Sequence, residues 1–246
     1  SISDIYCAAL PAERQGEVPH RYVLGLYEFL DRLGKRYPDM LIEGCSGGGG
    51  RFDAGMLHYT SQIWCSDDTD AIERLKIQYG TSFAYPVSAV GSHVSACPNH
   101  QTGRIVPFES RATVAMAGTF GYELDPAKLS EEEKQQIQEQ IAEFKKYYDV
   151  IHFGNYYRLT NAMEEGPYAA WEFAKEDGSE ALVSVVASRV RTNDPGVRIK
   201  LRGLKENQIY LVNGVEYPGG ALMHGGLLLE EAKKEYQSWN YHIVMK

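Results

Sequence analysis

Apolar positions follow two different spacings along this chain, and the change between them falls near residue 153. Val23, Leu26, Tyr27, Leu30 and Leu33 recur at helical spacing and predict an amphipathic helix from His20 to Arg36, stopped by Tyr37-Pro38-Asp39. Ser1 to Pro19, punctuated by Pro11 and Gly16, predicts irregular chain before it. Met40-Leu41-Ile42 and Ile63-Trp64-Cys65 are short apolar runs without alternation, the pattern of strands buried on both faces of a parallel sheet. Phe52 to Gln62 connects them with one helical turn. Asp70 to Tyr79 predicts a second helix with Gly80 as its stop. Ala84 to Val90, with Pro86 inside it, predicts a short strand that ends in the polar loop Gly91-Ser92-His93. Phe108 to Ala117 reads as helix and Thr119 to Tyr122 as a short run. Ser130, with Glu133 at capping-box spacing, opens a helix to about Tyr148 that turns Ile137, Ile141 and Phe144 inward. Helices alternating with short buried strands define an α/β series.

Past Gly154 the pattern changes to short strands at Tyr168–Phe173, Ala181–Ala187, Val197–Leu201, Gln208–Val212 and Trp239–Met245. The turns between them are Glu176-Asp177-Gly178, Asn193-Asp194-Pro195-Gly196 and Asn213-Gly214. This spacing predicts a small antiparallel β-sandwich. The expected domains are therefore residues 1–153 and 154–246.

Both early apolar runs end abruptly in polar chemistry. Met40-Leu41-Ile42 leads to Glu43, Cys45, Gly47 to Gly50, Arg51 and Asp53; Ile63-Trp64-Cys65 leads to Ser66, Asp67, Asp68, Thr69 and Asp70. In α/β barrels the chemistry sits on loops at the carboxyl ends of the strands, so this block reads as the active-site half of a barrel. Asp70, and to a good extent Asp68, suit a helix N-terminus. Asp67, first on its loop and beside Trp64, suits a general acid. A metal or phosphoryl site on the acidic cluster is the weaker alternative, because no further His or carboxylate lies at helical ligand spacing nearby. The glycine run lacks the Gly-Lys-Ser/Thr ending of a phosphate loop. Its use is close approach of a ligand to bare backbone. Cys45 reads as a contact residue, His93 as a pocket wall, and Arg51 and Asp53 as a pair bracing the loop. His20, His58 and His152 read as structural or surface residues.

Composition narrows the class. The net charge of −8 over 246 residues argues against a nucleic-acid backbone as partner. No apolar run approaches a bilayer span and no signal peptide is visible. The 4 cysteines are widely separated, without a CxxC pair, as expected of free thiols in a reducing compartment.

The run CSGGGGRFDAGMLHYTSQIWCSDDTDAIERLKIQYGTS, Cys45 to Ser82, resembles the bacterial α-galactosidases of glycoside hydrolase family 36. The resemblance extends over Ala9 to Leu33 and Val90 to Lys134, and in texture over the C-terminal portion. It implies an α/β chain: the C-terminal half of a (β/α)8 TIM barrel followed by a small antiparallel β-sandwich domain. It implies a retaining glycosidase that releases terminal α-linked galactose from melibiose, raffinose or similar sugars. The acid/base would be Asp67, with Cys45 and Gly48 touching the galactose hydroxyls and Trp64 beside the site. No cofactor and no metal are implied. The expected partner is a galactoside oligosaccharide, neither nucleic acid nor membrane, with the full-length enzyme a homo-tetramer in the bacterial cytoplasm. The family's Lys-Trp-Asp-Met-Asn-Arg block, which carries its nucleophile, is not found in these residues. The chain is thus expected to be a fragment, inactive alone. The reading from another class is a non-catalytic galactose-binding or assembly module.

Overall fold

The structure, a computed structural model, describes residues 5–190 and 196–246. It contains two compact units, Ser1–Asp67 and Asp68–Lys246. Among the described residues no helix is long and apolar enough to cross a membrane.

In the first unit, helix α1 spans Glu17–Arg36 and begins three residues before the expected His20. Pro19 falls in its first turn, where the missing N–H has no intrahelical acceptor to satisfy. Leu30 of α1 packs with Met56 and Ile63, and Leu26, Tyr27, Ile42 and Phe52 close around them. Strand β1 is Glu43–Gly44, not Met40-Leu41-Ile42. Met40 and Leu41 are exposed, Leu41 by 89%. The chain leaves α1 through a turn in which the Met40 N–H donates to the Tyr37 carbonyl, so parallel pairing starts later. β1 pairs in parallel with β2, Gln62–Trp64, at Glu43↔Gln62 and Gly44↔Ile63. The helical turn expected in the connection is α2, Ala54–Leu57, capped by Asp53.

The second unit opens with α3, Ala71–Thr81. Gly80 does not stop it but lies inside it, where a Cβ would stand 3.1 Å from the Met163 methyl carbon. The expected strand Ala84–Val90 is instead a 3-10 turn at Val87–Ala89 and the two-residue strand β3, Val90–Gly91. Pro86 presets φ at −64° and offers no N–H, which delays any ladder. The expected loop Gly91-Ser92-His93 is largely strand. β4, His93–Ser95, pairs in parallel with β5, Gly121–Glu123, and Ser92 is buried against Gln78. Between them runs α4, Phe108–Ala115, buried along almost its whole length.

Helix α5 spans Glu131–Phe153 and starts with the expected capping box, both Ser130–Glu133 bonds being present. It runs five residues past Tyr148. Its buried positions are Gln140, Tyr147, Val150 and Ile151, while Ile137, Ile141 and Phe144 are half-buried.

From Asn155 the chain is antiparallel. β6 (Asn155–Arg158), β7 (Tyr168–Ala174), β8 (Glu180–Ala187), β10 (Ile209–Val212), β11 (Val215–Pro218) and β13 (Ser238–Met245) form one sheet, ordered β11-β10-β13-β8-β7-β6. β9 (Arg198–Ile199) and β12 (Leu227–Leu228) form a small ladder as the second layer. The turn at Asn213-Gly214 has both residues left-handed, the I′ hairpin geometry. The turn expected at Asn193 to Pro195 lies outside the described residues. Ala169, Trp171 and Phe173 of β7 pack with Val150 and Ile151 of α5; Tyr168, Ala170 and Ala174 pack on the other face with Ile199, Leu201 and Leu204. Covered on both faces, β7 carries no polar alternation.

Glu172 is the exception inside β7. It is fully buried, its Oε2 accepts the Arg202 N–H at 2.8 Å, and its Oε1 is buried without a partner. Burial pushes its carboxyl up to about 8, with the Arg202 N–H and charge opposing. The folded chain therefore holds this proton where the unfolded chain, near 4.5, has released it. Stability should be full below that unfolded value and fall by up to about 1.4 kcal/mol per pH unit as pH rises toward 8. Denaturation of the chain and of Glu172→Gln across that range should show the slope in the first and its loss in the second. Parallel profiles would exclude Glu172 as the source.

Candidate active site

Cys45 opens a tight turn in the first unit. Ser46, Gly47, Gly48 and Gly49 follow with φ of 53°, 65°, 75° and 85°, all left-handed. The Gly49 N–H closes the turn onto the Cys45 carbonyl at 2.8 Å. A left-handed residue with a side chain costs about 1–2 kcal/mol, which glycine avoids at three of the four positions.

These glycines are also needed for space. A Cβ on Gly49 would stand 2.4 Å from the Cys65 carbonyl oxygen, just past the end of β2. A Cβ on Gly48 would stand 2.9 Å from the Asp67 amide nitrogen and 3.2 Å from Asp67 Oδ2. The bare backbone of the turn therefore lies directly against the Asp67 carboxyl. Trp64, three residues before Asp67, donates its indole N–H to Asp67 Oδ1 at 3.1 Å. Trp64 is buried with 8% of its surface exposed, Asp67 is exposed, and Cys45 is an exposed free thiol. Cys45, Gly48, Trp64 and Asp67, 22 residues apart at their extremes, thus share one end of the β1–β2 pair.

The pairing expected of Arg51 with Asp53 gives way to two separate contacts. Asp53 caps α2 by accepting the Met56 N–H at 2.9 Å and also accepts the Tyr27 hydroxyl at 3.4 Å. The Arg51 guanidinium lies 4.8 Å from the centre of the Tyr22 ring.

In the second unit the rest of the acidic run is structural. Asp68 Oδ1 accepts the Asp70 N–H at 3.0 Å. Asp70 is buried and caps α3 through the Ile72 N–H at 2.9 Å. Its Oδ2 accepts from Thr102 and from Arg104, each at 2.5 Å. Burial works against its charge, but these donors prevail and hold the carboxyl below its ordinary value. Thr69 is tied to the same loop through Gln101 and Asn99. Arg104 and Thr102 lie more than thirty residues from Asp70 in sequence, and no local signal marks the pairing. Among the described residues no group of three or more His, Cys, Asp or Glu side chains is placed to hold a metal ion. His93 belongs to the β4–β5 pair, with its ring against Gly121.

The melibiase family model matches residues 1–154, and that of the glycosyl hydrolase family 36 C-terminal domain matches residues 168–243. The chain belongs to the melibiase family. Its fold is that of the matching part of family 36 enzymes. The variant of α-galactosidase AgaA from Geobacillus stearothermophilus solved with raffinose superposes with a TM-score of 0.95 at 47% identity, over 100% of this chain and 34% of that one. The bifunctional α-galactosidase/sucrose kinase AgaSK of Mediterraneibacter gnavus is 54% identical over 98% of this chain and 25% of its own length. AgaA itself is 48% identical over 98% of this chain and 33% of its own length. The chain thus spans a quarter to a third of the length of these curated relatives.

Close approach at Gly48 can be separated from ordinary glycine flexibility. Gly25, in α1, has nothing within 4 Å of an added Cβ. Gly25→Ala should raise the melting temperature, since alanine favours an exposed helix by about 0.8–1 kcal/mol. Gly48→Ala should lower it and shift the Asp67 amide resonance. Gly103, left-handed at φ 70° with nothing within 4 Å of an added Cβ, controls for the backbone cost, and an equal loss in Gly103→Ala and Gly48→Ala would show that Gly48 makes no close contact.

Proposed function

We propose that this chain carries the acid/base and part of the sugar pocket of a retaining α-galactosidase. Its substrates are oligosaccharides with terminal α-linked galactose, such as melibiose and raffinose. The observation that carries this reading is the Asp67 carboxyl, seated on bare glycine backbone and held by Trp64 at the end of a parallel strand pair. The names of the relatives support it, as does the raffinose complex of one of them.

In this reading Asp67 gives its proton to the glycosidic oxygen as the C1–O bond breaks, and later takes one from the attacking water. C1 is captured by a carboxylate nucleophile roughly 5–5.5 Å from Asp67, supplied from outside these residues. Cys45 and the main chain at Gly48 contact the galactose hydroxyls, with Trp64 beside them. We place a half-barrel in residues 1–153 and a β-domain in 154–246; the end of α5 at Phe153 and the extents of the two family models support that division. The full-length enzyme is proposed as a homo-tetramer in the bacterial cytoplasm, where the four free thiols of these residues stay reduced.

The test replaces the matching third of AgaA with this chain. Asp67→Ala in that chimaera should slow raffinose hydrolysis by about 10²–10⁴-fold. An aryl α-galactoside whose leaving group departs unaided should suffer far less. Equal losses would remove Asp67 from the acid role, and a larger leaving-group-dependent loss in Asp68→Ala would transfer that role to Asp68. The 246 residues alone should show no turnover of the aryl substrate; turnover would reveal a nucleophile within them.

A further inference from the structure

We infer that Trp64 is a positioning residue for Asp67, and that its indole N–H fixes Oδ2 as the oxygen that carries the transferable proton. This rests on the reading of Asp67 as the acid and deepens it.

Trp64 keeps only 8% of its surface exposed, so it presents almost no ring face to a sugar. Its polar edge is committed instead, donating to Asp67 Oδ1 at 3.1 Å. A neutral carboxyl has one good acceptor, the carbonyl oxygen, and one hydroxyl that donates. An N–H aimed at Oδ1 favours the state in which Oδ1 is that carbonyl oxygen. The acidic proton then sits on Oδ2. Oδ2 is also the oxygen nearest the glycine turn, 3.2 Å from where a Cβ of Gly48 would be. The bare backbone at Gly48 is what leaves room for that oxygen beside the turn.

The same bond favours the reaction itself. When the Oδ2–H proton passes to the glycosidic oxygen, the C1–O electron pair goes to that oxygen and the carboxylate nucleophile bonds C1. Asp67 is left as a carboxylate. The indole N–H then donates to an anion, and hydrogen bonds to charged groups are stronger than those between neutral ones. Trp64 thus interacts more strongly with the transition state than with the ground state, and such an interaction raises kcat and leaves KM unchanged. In the second half of the cycle water gives its proton to Oδ2 as its oxygen bonds C1 and the C1–nucleophile bond breaks, releasing galactose and restoring the nucleophile's carboxylate.

Two measurements test the inference. In the 246-residue chain labelled with ¹⁵N, the Trp64 indole N–H resonance should move as Asp67 is protonated and stay fixed in Asp67→Asn. The Trp171 indole serves as reference, since its ring is in the core under α5. In the AgaA chimaera, Trp64→Phe keeps the ring and deletes the N–H. It should lower kcat for raffinose by roughly 10-fold to 100-fold, with KM nearly unchanged and little loss on the activated aryl galactoside. An indole resonance with the same pH dependence in the parent chain and in Asp67→Asn, or equal losses on both substrates, would overturn the positioning role. If Trp64→Phe does not fold, the indole resonance of the unsubstituted chain decides alone. If Asp67→Ala itself shows no dependence on the leaving group, the acid assignment fails instead, and the indole titration still reports whether the two side chains are bonded.

Discussion

The absence of a side chain at two adjacent positions governs the site. Gly48 and Gly49 lie so close to Asp67 and Cys65 that a methyl group on either would meet another residue's backbone at 2.9 Å or less. Both also need the left-handed conformation that other residues adopt at a cost. The turn can close only because steric and conformational demands fall on the same residues. The placement of the Asp67 carboxyl and the Trp64 N–H on it depends on that closure.

The chain deals with its buried carboxyls in two opposite ways. Asp70 is fully buried and stays ionised, because Thr102, Arg104 and a helix N-terminus all donate to it. Removing one partner of such a pair typically costs about 3–5 kcal/mol, since the other charge stays behind unpaired. Glu172 has one backbone donor and no cationic side chain bonded to it, and it keeps its proton instead. The first arrangement binds two distant loops into one piece. The second leaves a neutral acid in the middle of a strand that is otherwise apolar or aromatic apart from it.

What could be read from the sequence followed the range over which each interaction acts. The capping box of α5 was legible because Ser130 and Glu133 are three residues apart and the chemistry is local. The same holds for the Asn213-Gly214 hairpin and for Asp70 as a helix cap. Met40 and Leu41 misled because an apolar run signals burial, whereas a turn at Tyr37 keeps both outside. Gly91-Ser92-His93 misled in the other direction: Ser92 is buried against Gln78, and one short strand ends at Gly91 while another starts at His93, in a segment that looks like loop. Glu172 gave no signal, since one acid among apolar residues does not show whether its strand is covered on one face or two. The site block drew attention through its glycines and its acids. The contact between Gly48 and Asp67 joins residues 19 apart and needed the fold to become visible.

The close fit of the glycine turn also limits how this gene can drift. Every amino-acid replacement of glycine adds at least a Cβ, so at Gly48 and Gly49 no substitution is small enough to be tolerated as a conservative one. Every missense change in these two codons puts a Cβ against Asp67 or Cys65. Divergence among descendants of this sequence should therefore accumulate on surfaces such as the outer face of α1, while these two positions change in DNA without changing in protein.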